Sequence, residues 1–147
     1  MIQKSLKNCT KRPAGVTIKC VIRGICSLVP GLEGQGENIS VRSIVGQYLE
    51  HTRIFAFHNG GDIKYYISSA DWMTRNLDRR IEVTVPIYDK SLKEDLKFML
   101  NACFLDNQKA REIDAQQRNK NAKSVLTKKY NAQNEIYNYF KTKTSAL

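Results

Sequence analysis

The sequence has no long apolar run. None of its hydrophobic stretches approaches the ~20 residues that a membrane span requires. The start, Met1-Ile2-Gln3-Lys4-Ser5-Leu6-Lys7, lacks the apolar core of a secretory signal, so the cytoplasm is the expected compartment. Metal-binding residue types are also scarce. Cys9, Cys20, Cys26 and Cys103 show no CxxC spacing and only His51 and His58 could join them. Neither a zinc site nor a disulfide framework is expected from that set, and the thiols read as reduced. There is no internal repeat and no low-complexity tract. The one glycine-rich stretch lacks the Gly-Lys-Ser/Thr ending of a P-loop, so phosphate binding there would fall to backbone amides and Arg23 rather than to a Walker lysine.

What is present is ordinary globular material: 147 residues, 41% hydrophobic and 26% charged, enough for one core and too short for two comfortable domains. The net charge of +10 is uneven. Residues 1–23 carry six Lys or Arg and no acid, residues 109–147 carry nine against three, and the middle carries nine against eleven. Basic flanks of this kind can bind a polyanion, or they can be solvated segments that keep the chain soluble.

Residues 1–14 are polar and basic, and Pro13 and Gly15 separate them from the apolar run 16–22, which reads as a buried strand. A buried parallel-type strand so close to the start suggests a piece of a longer chain. Residues 24–38 hold four glycines and Pro30 and form a loop long enough to have a function. Val41, Ile44, Val45, Tyr48 and Leu49 fall at helical spacing, and His51 leads into a strand over 53–57. Strand, helix and strand would make a βαβ unit that sets Arg23 and His51 side by side at one sheet edge. The turn signal His58-Asn59-Gly60-Gly61-Asp62 predicts a hairpin to a return strand over 63–67. A strand over 79–86, an amphipathic helix bearing Leu92, Leu96, Met99, Leu100, Cys103 and Phe104, an edge strand near 111–115, a solvated loop over 119–124 and a last helix with Ala132, Ile136, Tyr139 and Phe140 complete the order.

A histidine beside a helix carboxyl end feels partial negative charge that favours the imidazolium, able to bind phosphate oxygens or donate a proton. The bland alternative for His51 is a histidine packed into a helix–strand joint. Ser68-Ser69-Ala70-Asp71 either caps a helix or hydrogen-bonds a phosphate and orients the histidine.

These residues resemble a known family. Arg23-Gly24-Ile25-Cys26-Ser27-Leu28-Val29-Pro30-Gly31, Tyr48-Leu49-Glu50-His51, Asn59-Gly60-Gly61-Asp62, Ser68-Ser69-Ala70-Asp71-Trp72-Met73-Thr74-Arg75-Asn76 and Arg80-Ile81-Glu82-Val83 look like the last domain of bacterial polyphosphate kinase, over about residues 17 to 143. The resemblance implies an α/β domain with a mixed sheet flanked by helices, a phospholipase D-like second half. It divides the chain into a basic segment 1–14, a C-terminal catalytic domain 15–143 and a tail 144–147.

The implied activity is reversible transfer of the ATP γ-phosphoryl group to inorganic polyphosphate through a phosphohistidine that lies in a missing upstream domain. Mg²⁺ would be bound mainly upstream as well, with no metal in this domain. The implied partners are ATP or ADP, polyphosphate and the preceding domains of a homo-oligomeric enzyme, with no nucleic acid and no transmembrane segment. The enzyme would be cytoplasmic, with peripheral contact to the inner membrane left open. Arg23 and His51 would be the ATP phosphate contacts, His51 also neutralising or protonating the leaving ADP oxygen. Arg53, Ser69 and Asp71 stand behind them, and Glu82 either orients His51 or is structural. His51-Thr52-Arg53 stands where phospholipase D has His-x-Lys, but His58 occupies the spacing of its later Asp, which argues against lipase chemistry. Two other functions fit the residues: a polyanion-binding module working through its basic flanks, and a phosphodiesterase half-site.

Overall fold

A computed structural model describes residues 15–24, 26–33, 36–123 and 125–145. The basic segment 1–14, with Cys9, and the last two residues of the tail lie outside the described residues. Among the described residues, seven strands form two sheets. The first contains β1 (Ile18–Val21), β2 (Ile39–Ile44), β6 (Ala110–Ile113) and β7 (Lys120–Asn121) in the order β1-β2-β6-β7. The second contains β3 (Ile54–Phe57), β4 (Lys64–Ser68) and β5 (Thr84–Ile87) in that order. The helices are α1 (Thr74–Arg79), α2 (Lys90–Leu105) and α3 (Ala132–Ser145). The fold is mixed α/β, with β1 parallel to β2 and every other pairing antiparallel.

The helix expected over 41–49 does not form. Ile39, Val41 and Ile44 are buried along β2, which pairs with β1 on one side and β6 on the other. Pairing on both edges outweighs a short helical spacing made largely of β-branched residues. Val45, Tyr48 and Leu49, the other half of the supposed helical face, lie exposed in the segment after the strand. The βαβ unit therefore falls away: β1 reaches β2 through a loop, and β3 belongs to the other sheet.

Three smaller expectations also change. β1 alternates half-buried and exposed because it is an edge strand. The strand near 111–115 is not an edge, since β6 lies between β2 and β7, and Lys120–Asn121 of the supposed solvated loop supplies the true edge. The stretch 79–86 is helical at Arg79 and becomes strand only at Thr84. Pro86 sits inside β5 opposite Tyr66, where the edge position tolerates its missing N–H. The basic C-terminal region is built into the fold through β6, β7 and α3, while its nine Lys and Arg side chains are exposed.

The core lies between the first sheet and helices α2 and α3. Ile44, Ala102, Ala110, Ala122 and Ala132 are buried together, with Phe98, Cys103, Tyr130 and Ile136 packed around them. The alanines let backbones approach closely. Asp106, fully buried, fills the resulting junction. Its Oδ1 accepts from the backbone N–H groups of Gln108, Lys109 and Ala110 at 2.9, 2.6 and 2.9 Å, and its Oδ2 from that of Ala132 at 2.7 Å. One carboxylate thus joins the end of α2, the start of β6 and an orphan donor at the start of α3. Farther along, Phe98 and Tyr139 stack at 4.0 Å, and the nearly buried Asp95 accepts from Tyr139 Oη and Lys143 Nζ, both at 2.7 Å. The N-terminal cap of α2 is Asp89, whose side chain accepts from Leu92 N at 3.0 Å. Cys20, Cys26 and Cys103 are free thiols, and burial pushes the Cys103 thiol up to about 11.

Candidate functional site

Antiparallel pairing brings the start of β3, the end of β4 and the approach to β5 to one end of the second sheet. Ser68 N donates to Arg53 O and Ser69 N to Val83 O, each at 3.0 Å. Alternation along the chain then gathers Arg53, Ser69, Asp71 and Glu82 there, with His51 just before the strand.

Two hydrogen-bonded chains organise this end. In the first, Arg53 donates through Nε to Asp71 Oδ1 at 2.8 Å and through Nη2 to His51 Nε2 at 2.7 Å. A guanidinium can only donate, so Nε2 accepts and the ring proton sits on Nδ1. His51 is exposed, while Arg53 and Asp71 are partly covered. The Arg53 hydrogen bond holds the Asp71 carboxyl below its usual range, with partial burial opposing and the charges of Arg53 and Arg75 assisting. In the second chain, Glu82 accepts from Ser69 Oγ and from Asn76 Nδ2, the latter at 2.7 Å. These two bonds, Ser69 first, hold the Glu82 carboxyl low. Glu82 is therefore committed to Ser69 and Asn76, and it is Arg53 that touches His51.

Ser68, Ser69 and Asp71 do not cap α1. Met73 occupies that position without a side-chain hydrogen bond. Ser68 Oγ instead lies 2.9 Å from Thr84 Oγ1, and Ser69 Oγ accepts from Val83 N at 3.1 Å, so both hydroxyls tie β4 to the approach of β5.

Arg23 comes from the first sheet, just past β1. Its Nη1 donates to Glu50 O at 2.5 Å, the carbonyl directly before His51. Arg23 and His51 thus adjoin, but across two sheets rather than along one edge. The imidazolium expected from a helix carboxyl end loses its basis, because the chain before His51 is strand and irregular segment. His58 is exposed at the hairpin turn.

Sequence reasoning missed three residues. Asn76 is buried in α1 and braces Glu82. Gln133 contacts Tyr48 and Glu50 from 83 to 85 residues away, and Gly46 lies against it. Nothing local marks Gln133, whereas Asn76 closes a motif run and offered a signal. Among the described residues no group of three or more His, Cys, Asp or Glu could hold a metal ion, and no helix is long and apolar enough to cross a membrane.

Residues 1–133 match the family model described as polyphosphate kinase C-terminal domain 2. The polyphosphate kinase of Vibrio cholerae is 48% identical over 128 residues, covering 87% of this chain and 18% of the relative. That of Escherichia coli K12 is 47% identical over 129 residues, covering 88% and 19%. The crystal structure of polyphosphate kinase from Porphyromonas gingivalis superposes with a TM-score of 0.83 at 43% identity, covering 90% of this chain and 20% of that one. The chain spans about a fifth of the length of the relatives it matches.

Proposed function

The chain belongs to the polyphosphate kinase family, in its C-terminal domain 2, and from that premise we propose that it is the last catalytic domain of an enzyme that transfers the ATP γ-phosphoryl group reversibly to polyphosphate. The observation that carries this reading is the exposed His51, held by Arg53 and Asp71, beside Arg23 at the meeting of two sheet ends. Phosphoryl transfer spreads charge over equatorial oxygens and asks the protein for positioning and positive charge.

In this proposal Arg23 and His51 contact the nucleotide phosphates. Arg23 is a forked, permanently charged donor that holds them in line. With Nε2 engaged by Arg53, the ring offers its Nδ1–H to the oxygen on which charge develops as ADP leaves. Arg53 adds charge and fixes the ring, and Asp71 fixes Arg53. The phosphorylated histidine belongs to a preceding domain, as do the remaining contacts to adenine and polyphosphate and the oligomer contacts. Mg²⁺, which would neutralise phosphate charge, fits poorly here: Asp71 is paired with Arg53, and each oxygen of Glu82 already accepts a hydrogen bond, from Ser69 or from Asn76. We assign it to the preceding domains.

The test is phosphoryl transfer by the isolated chain against an intact subunit that contains the same residues. The 147-residue chain should neither lengthen polyphosphate nor hydrolyse ATP, because the nucleophile is absent from it, and the intact subunit should do the first. Elongation by the chain alone, above a boiled control, would refute the assignment.

A further inference from the structure

We propose that Gln133, in the first turn of α3, is a positioning residue for Arg23 and His51 and acts through Glu50; the proposal rests on the phosphoryl-transfer reading above. Gln133 is only 6% exposed, and its amide is engaged at both ends. Oε1 accepts from Tyr48 N at 3.1 Å, while Nε2 donates to Tyr48 O at 2.7 Å and to Glu50 Oε1 at 2.8 Å. Gly46 permits this approach, since a Cβ there would stand 2.3 Å from Gln133 Oε1.

The segment it grips has little else to hold it. Residues 45–50 belong to no strand or helix, and Val45, Tyr48 and Leu49 face outward, so apolar burial does not fix their path. Glu50 is the junction. Its side chain is held by Gln133, its carbonyl accepts from Arg23, and the next residue is His51.

The other end of the clamp is rigid. Ala132, next to Gln133, is buried in the core and its N–H is bound by Asp106. Position is therefore passed from the core through Gln133 to Glu50, and from Glu50 to both phosphate-binding side chains. Small displacements of such groups cost rate disproportionately.

The test uses the intact subunit with Gln133→Glu, Gln133→Met, Glu50→Gln and the double variant Gln133→Glu/Glu50→Gln. Gln133→Glu keeps the shape and the acceptor for Tyr48 N but removes the donor to Tyr48 O and sets a carboxylate against Glu50. It should lower kcat about tenfold or more while KM for ATP stays within about threefold. The double variant reverses the direction of the 133–50 hydrogen bond but leaves Tyr48 O without its donor, and should restore part of the lost rate. Wild-type kcat in both single Gln133 variants, or a loss of which the double variant restores no part, would overturn the proposal.

Imidazole ¹⁵N shifts of His51 in the 147-residue chain give a readout free of turnover. They should move in Gln133→Met. Unmoved shifts, or loss of the folded spectrum in both Gln133 variants, would assign Gln133 to packing alone. An intact wild-type subunit that transfers no phosphoryl group would defeat the functional reading instead, and the His51 shifts would still judge Gln133.

Discussion

The two sheets of this chain solve different problems. The first is stapled to α2 and α3 by alanines and by one buried carboxylate whose four acceptor bonds all go to backbone N–H groups. The second buries Tyr65 but leaves its other aromatic residues partly covered or exposed, with Phe55 stacked on Trp72 at 5.6 Å and Phe57 edge-on to Tyr66 at 5.9 Å, and carries polar and charged side chains bonded to one another at its end. Most of the buried residues belong to the first and the helices stapled to it, and in the proposed function the second supplies His51 and Arg53 while the first supplies Arg23. Groups that must meet phosphate have to remain accessible, so they are held by charge-assisted hydrogen bonds that need no deep burial. The halves meet at Glu50.

Substitutions at four positions sharpen that contrast. The largest effect should come from Asp106→Asn, which aims an amide N–H₂ at backbone donors. Leaving buried N–H groups without an acceptor should cost about 3 kcal/mol. For a chain of this size that lowers the melting temperature by roughly 6–12 °C, read by circular dichroism. A smaller shift would mean that the junction of α2, β6 and α3 does not depend on that carboxylate.

His51→Ala should leave the melting temperature where it is, because the ring is exposed. In the intact subunit it should lower the rate of enzyme phosphorylation about a hundredfold, near 2.7 kcal/mol of transition-state stabilisation, with a smaller change in nucleotide affinity. Quench-flow phosphorylation at the wild-type rate would return His51 to a packing role.

Arg23→Ala should weaken ATP binding and the transition state together, by about tenfold, as expected for a charged hydrogen bond. Arg23→Lys should recover only part, since a point charge cannot replace the planar fork. Equal activity of the two variants would place Arg23 away from the phosphates.

Asp71→Asn should have the mildest effect, a several-fold loss through a less firmly held Arg53. It also carries a pH signature. The folded Asp71 carboxyl titrates below its usual range, chiefly through the Arg53 hydrogen bond, so its stabilising contribution is complete above the unfolded value of about 3.9. That contribution disappears as pH falls through the lower folded value. The Arg53 Nε–H resonance, which reports the bond to Asp71, should therefore hold its position down to the ordinary carboxylate range and move below it. That movement should be absent in Asp71→Asn.

Much of this was legible in the chain itself. The hairpin at Asn59–Gly61, the strands around it, α2 and α3 follow from turn chemistry and apolar spacing, which act over a few residues. The motif residues Arg23, His51, Arg53, Ser69, Asp71 and Glu82 were nameable because their side-chain types suit phosphate chemistry and their runs resemble one family. The partners of those residues were not legible. Whether Glu82 serves His51 or Asn76 depends on which strands pair, and pairing is settled between segments far apart in sequence.

The stretch 39–49 shows where the limit lies. Its spacing suits a helix, yet β1 and β6 together supply backbone partners along both edges of β2, and those bonds choose the strand. Composition and local pattern determined that this is one α/β chain with a basic balance and a phosphate-suited set of side chains. Only the tertiary structure decided that Arg23 and His51 come from different sheets, that the proton of His51 sits on Nδ1 under the hand of Arg53, and that Gln133 holds the segment between them. Hydrogen bonds have direction and a reach near 3 Å, and which donors come within that reach is a property of the packed chain alone.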